Sequence, residues 1–242
     1  MIVGEDSPLR RLPAALDRKQ MLFLDGIRYS AEMADLAHAR LQQTLYRLTT
    51  RGKEPEQDPD HSDVLSAVQD AWSIVDSLHR LRGLLQQMPG IKQNTPSMRV
   101  FRQQTDKVED LRNGVQHLNQ QIHRLVSANQ TAWGSLSWFA LPEPNSKTGT
   151  IGVLVAGTVF TTEGHPMVNP IGKQVHSLVD YVTLTAYEHS LDLSDAMRRI
   201  ERLIGSMEDQ LRDQFEGQPT AASELLVCAD LQFDGAGQDE EA

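Results

Sequence analysis

The chain has 242 residues, a formal net charge of −10 from 23 Lys+Arg and 33 Asp+Glu, 39% hydrophobic residues and a single cysteine. That length is ample for a hydrophobic core without a disulfide or structural metal, and the lone Cys228 excludes a disulfide framework and paired-cysteine zinc sites. No apolar run reads as a membrane span. Met1–Arg11, with Glu5, Asp6 and Pro8, lacks the apolar stretch of a secretory signal, so no membrane contact and a cytoplasmic location are expected.

Residues 1–16 are mixed and proline-containing, and are expected to form a loosely ordered arm. A long helix is predicted from Asp17 to about Thr50. Ile27, Ala34, Leu41 and Leu48 recur every seventh residue, and Phe23, Ala37 and Leu45 fill the same face. The acidic stretch 52–60, with Pro55 and Pro59, reads as a loop. A second helix follows, capped by Ser62, with Leu65, Val68, Trp72, Val75, Leu78, Leu81 and Leu85 on its apolar face. Met88-Pro89-Gly90 ends it, and a loop with Asn94 and Pro96 follows. The third helix is expected from about Ser97 to Ser127 as one element about 45 Å long. Its stripe is Val108, Leu111, Val115, Leu118, Ile122 and Leu125.

The period then changes. Trp133–Leu141, Thr150–Phe160 and Val175–Tyr187 read as strands of a three-stranded antiparallel meander, separated by turn compositions. The last helix runs from about Ser194 to Phe215, capped by Asp192 or Ser194. The polar, acidic residues 217–242 are expected to be disordered. The expected architecture is therefore a single, mainly α domain. An antiparallel four-helix-type bundle over 17–128 is completed by the helix at 193–216, with a small β-meander inserted at 129–192.

Charge is unevenly spread. Residues 1–128 carry 17 basic and 16 acidic side chains, residues 129–188 two and four, and residues 189–242 four and 13. Overall acidity argues against broad nucleic-acid binding, while the near-neutral first half leaves room for a local polyanion site. The eight histidines show no metal-ligand spacing, and no metal or cofactor is expected. The glycines from Gly149 to Gly157 lack the Lys-Ser/Thr of a phosphate loop and read as turns or strand packing. Trp133 and Trp138 read first as anchors of the small sheet, with base stacking as the alternative.

The residues that could carry chemistry lie on the third helix, in Leu111-Arg112-Asn113-Gly114-Val115-Gln116-His117. Arginine offers a permanent charge and a planar fork that fits phosphate oxygens, and histidine titrates near neutrality and can move protons. The five-residue spacing leaves Arg112 and His117 about 140° apart on a helix, whereas Asn113 and His117 share a face. The rest of that face, with Gln116, Asn119, Gln120 and Gln121, is polar but hardly charged, which suggests contact with another chain or a polar ligand. Gly114 permits close approach. On the second helix, Asp76 and Arg80 are spaced as a surface ion pair. His79 reads first as a structural histidine. The functional alternative for all three is to support Arg112 and His117, with Asp76 orienting an imidazole.

The Arg112-Asn113-x-x-x-His117 pattern on a long helix resembles the R-x4–6-H motif of the HEPN superfamily, over residues 17–128 and the last helix. The resemblance implies a helical homodimer with a cleft between protomers, and a metal-independent endoribonuclease. Arg112 would stabilise phosphate charge, Asn113 would orient, and His117 would transfer protons. It further implies RNA as substrate, a toxin or phage-defence role, and an antitoxin or other protein partner. Two residues after the His, where one antitoxin-controlled branch carries tyrosine, this chain has Asn119. The alternative is a non-catalytic helical dimerisation module that binds RNA, nucleotide or a protein partner.

Overall fold

The computed structural model describes residues 1–51, 59–90, 95–158 and 165–231. The acidic loop over 52–58, the loop position Asn94, the far end of the second predicted strand at Val159 and Phe160, and the acidic end over 232–242 lie outside the described residues.

Just over half of the described residues are helical, and the remainder include a four-stranded antiparallel sheet. The elements in chain order are α1 (Arg18–Arg51), α2 (His61–Gln87), α3 (Pro96–Gln104), α4 (Lys107–Gln116), α5 (Leu118–Ser127), β1 (Ser135–Ala140), β2 (Thr150–Val155), β3 (Val179–Ala186), β4 (His189–Asp192) and α6 (Leu193–Phe215). No helix among the described residues is long and apolar enough to cross a membrane.

The helices α1 and α2 form an antiparallel pair. Leu24, Ile27, Ala31, Ala34, Ala37, Leu41 and Leu45 meet a buried stripe of Ala67, Ala71, Ile74, Leu78, Leu81 and Leu85. Alanine at five of these positions lets the two backbones approach closely. Register is fixed at the rim by Arg40–Asp70 at 2.5 Å and Arg47–Asp63 at 2.7 Å. The helix α2 begins two residues earlier than a Ser62 cap implies, so the N-cap is Asp60, whose Oδ1 accepts from Ser62 N at 2.9 Å. Ser62 does not cap it.

The single third helix is not observed. Its sequence forms three shorter helices, α3, α4 and α5. At the first break, Arg82 of α2 donates to the Arg102 carbonyl at 2.9 Å and to Thr105 Oγ1 at 2.6 Å. These contacts occupy acceptors at the end of α3. At the second break, His117 (φ −107°, ψ 31°) is the last residue around α4 and the first around α5. The expected continuous stripe is therefore split. Val108, Leu111 and Leu125 are buried, but Ile122 is exposed.

The sheet has strand order β2-β1-β3-β4, all pairs antiparallel. This corrects the three-stranded meander. β1 lies between β2 and β3, so the chain crosses β1 after β2, and a fourth strand pairs with β3. β4 is four residues of mixed polarity, His-Ser-Leu-Asp, too short to show alternation. A bulge places Tyr181 opposite the β1 segment between Ser137 and Phe139, with φ +54°. It turns the Asp180 carboxylate inward, where it accepts from Arg198 at 2.8 Å, His176 N at 2.8 Å and Tyr181 N at 2.7 Å.

Asp192 caps α6 by accepting from Asp195 N at 2.8 Å, and α6 packs on β3, α1 and α3. Residues 1–16 are not the loose arm that their composition suggests. Val3, Leu9 and Leu12 are buried at irregular spacing, which carries no periodic signal. The arm also pairs with the start of the tail, through Ala14 N to the Pro219 carbonyl (2.9 Å) and Ala221 N to the Leu12 carbonyl (2.8 Å).

A candidate binding groove

The outer face of α2, the adjoining face of α4 and the end of the sheet enclose an open groove of about 670 Å3. Its walls are almost wholly apolar: Val64, Leu65, Val68, Trp72, Val115 and Trp133. The predicted apolar face of α2 is divided between two tasks. Leu78, Leu81 and Leu85 are buried toward α1, together with Ala67, Ala71 and Ile74, which the predicted face did not include, while Leu65, 58% exposed, Val68, Trp72 and Val75 line the groove. Trp72 Nε1 donates to the Trp133 carbonyl at 3.3 Å, which ties the groove's two indole-bearing segments together.

His61, Gln69 and Ser73 also line the groove, and its charged groups gather at the Asp76–Arg112 end. Arg112 Nε donates to Asp76 Oδ1 at 3.2 Å and Nη1 to Gln116 Oε1 at 3.0 Å. The other oxygen of Asp76 accepts from Arg80 at 2.7 Å. One carboxylate is therefore shared by two guanidiniums beside the groove. His79 sits next to this cluster. Burial and then the Arg112 charge hold its pKa below the usual histidine value, against the opposing charges of Glu109 and Asp76. The imidazole is accordingly neutral at pH 7.

The structure thus brings Arg112, Asp76, His79 and Arg80 together, as the sequence spacing allowed. Asn113 and His117 are exposed on α4 and at the α4–α5 break. Among the described residues neither side chain is engaged by a hydrogen bond within the chain. The amide-rich face of Asn113, Gln116, Asn119 and Gln120 is likewise turned to solvent. Gly114 lies on the other side of α4, buried, with a Cβ there only 2.3 Å from the Tyr187 ring. Its close approach is therefore to the β3–β4 turn.

Sequence reasoning missed the groove itself. Its one available signal was that Val64, Leu65 and Val68 extend the apolar arc of α2 beyond what a single partner helix can cover. Trp133 is 44% exposed and lines the groove, whereas Trp138 is the buried anchor, with its indole over Gly152 and its Nε1 donating to Thr49 at 2.8 Å. Among the described residues there is no group of three or more His, Cys, Asp or Glu side chains that could hold a metal ion. Comparison of the chain with protein-family models, curated proteins and solved structures gives no match.

Proposed function

We propose that this protein is a non-catalytic binding module for an amphipathic organic anion, with the apolar body in the groove and the anionic head at Arg112. The observation that carries this reading is the sharing of Asp76 between Arg80 and Arg112 at one end of an otherwise apolar groove. Small-molecule sites commonly have volumes of about 300–1,000 Å3, apolar walls and a few placed polar groups. The Arg112 guanidinium, which has only part of a shared carboxylate, offers an anion charge-assisted hydrogen bonds. The exposed lining is mostly apolar, with His61, Gln69 and Ser73 the only uncharged polar side chains among it apart from the Trp72 and Trp133 indoles, so an aromatic or fatty carboxylate or sulfonate fits better than a nucleotide.

Fluorescence titration with an anilinonaphthalene sulfonate and a medium-chain fatty carboxylate tests this. Saturable one-to-one binding is expected. Arg112→Gln should weaken it by about tenfold, roughly 1.4 kcal/mol, and Leu65→Asp should weaken it at least as much. Absence of saturable binding, or binding indifferent to both substitutions, would overturn the reading.

The second reading is the HEPN-type endoribonuclease, with α1, α2, α4 and α6 as the bundle helices. The gathering of Asp76, His79 and Arg80 around Arg112 favours it. On this reading His117 acts from its exposed position at the α4–α5 break, on a phosphate held between two copies. RNA cleavage in EDTA that disappears in His117→Ala would establish it in place of the non-catalytic module.

A further inference from the structure

α1 carries apolar side chains on two faces. Opposite its buried stripe, Leu22, Tyr29, Met33 and Leu36 are exposed. Their spacing places all four within a narrow arc of the helix surface, along about 21 Å of its axis. A second exposed apolar surface starts beside the middle of this stripe, next to Tyr29. The tail is held against the chain through Thr220 and Ala221 and then by Glu224, whose Oε1 accepts from Arg28 at 2.9 Å and from Tyr29 Oη at 3.1 Å. Directly beyond this anchor, Leu225, Leu226, Val227 and Leu231 are between 73% and 89% exposed. Seven residues in extended form span about 24 Å, which matches the length of the α1 stripe.

We infer that these surfaces are the two halves of a self-association interface, in which residues 225–231 of one copy cover the Leu22–Tyr29–Met33–Leu36 stripe of a second copy and the reverse. Three observations select a second copy as the occupant. Donor segment and acceptor stripe are on the same chain, their lengths match, and the segment leaves the middle of the stripe at Tyr29 without covering it, so that both stay exposed in one copy. A two-fold operation therefore satisfies both at once, as an isologous interface requires. Extended, the segment turns Leu225, Val227 and Leu231 to one side, and a two-fold pair buries two such segments and two stripes at once. The interface lies on α1 and the tail, and is independent of the groove ligand.

Sedimentation equilibrium of the full chain at micromolar concentration tests the inference, with thermal melts to verify that each variant is folded. The wild type should be a dimer. Leu226→Asp/Val227→Asp, altered only in the tail, and Leu22→Glu/Leu36→Glu, altered only on the stripe, should each be monomeric. An equimolar mixture of the two variants should regain weak association, because one intact segment then meets one intact stripe. A monomeric wild type, or a dimer that survives either double substitution, would overturn the proposal. Failure of the variants to associate when mixed would overturn the exchange of segments between copies.

Discussion

Tyr187 shows how much one residue can be asked to hold. It and Glu188 form the two-residue turn between β3 and β4, with φ of 52° and 68°. Such turns favour Asn-Gly, because a bulky side chain is strained at positive φ. The compensation is tertiary. The ring packs on Gly114 and lies 6.3 Å from the Trp72 ring, and the hydroxyl donates to the Ala132 carbonyl at 2.7 Å. Burial raises the phenol pKa from its ordinary 10 to about 12. The native state therefore keeps a proton that the unfolded chain releases. This contribution to stability is fully present below about pH 10 and declines as pH rises through about 12. Denaturant midpoints measured across this interval should fall more steeply for wild type than for Tyr187→Phe. At neutral pH the variant should lose only the hydrogen bond, about 1 kcal/mol.

At the scale of elements, the same turn is clasped by two helices. Tyr187 meets Gly114 of α4, His189 lies 3.7 Å from Asp110 of α4, and Glu188 pairs with Arg124 of α5. Gly114→Ala tests how firmly α4 is seated there. Alanine favours a helix over glycine by about 1 kcal/mol, but its Cβ would fall 2.3 Å from a ring that Trp72 and the Ala132 hydrogen bond hold in place. Overpacking of this kind costs about 1–3 kcal/mol or more, so equilibrium unfolding should show a net loss. Gly83→Ala is the control. No neighbouring atom lies within 4 Å of a Cβ there, and a gain of about 0.5–1 kcal/mol is expected. The contrast also marks what could be read from the sequence. α1, α2 and α6 were legible because each is unbroken and buries a continuous stripe at helical spacing, and periodicity records that. The breaks at Thr105 and His117 were not, because Arg82 intercepts the first from another helix and the apolar spacing continues through both. Asp76 and Arg112 were identified separately by residue type. Their contact depends on how α4 is seated on α2, which no local pattern encodes, and the groove beside them depends on Trp133 arriving from the sheet.

At the scale of the whole molecule, the N-terminal arm and residues 219–224 are fastened to each other and to α1. The arm and tail pair through Ala14 and Ala221, and the tail then delivers Glu224 to Arg28. Arg28 is only 2% exposed, and its other acidic neighbour, Glu32, is 3.9 Å away. A buried guanidinium tolerates the loss of its closest partner poorly, so Glu224 is the residue that makes the strap persist, although its own side chain faces water. Glu224 also sits at φ +50°, a conformation its two side-chain contacts help to retain. The hydrogen bond from Tyr29, then that from Arg28 and its charge, lower the carboxyl pKa from 4.5. A group whose native pKa is depressed contributes stability above its unfolded value and loses it as pH falls through the native one. Glu224→Gln removes the charge at every pH while preserving size. Amide exchange at Ala14 and Ala221 should therefore be faster in Glu224→Gln than in wild type at neutral pH. The difference should shrink on acidification below the ordinary carboxylate range, as the wild-type carboxyl takes up its proton. Equal exchange in the two proteins at neutral pH would show that backbone pairing alone holds the ends together.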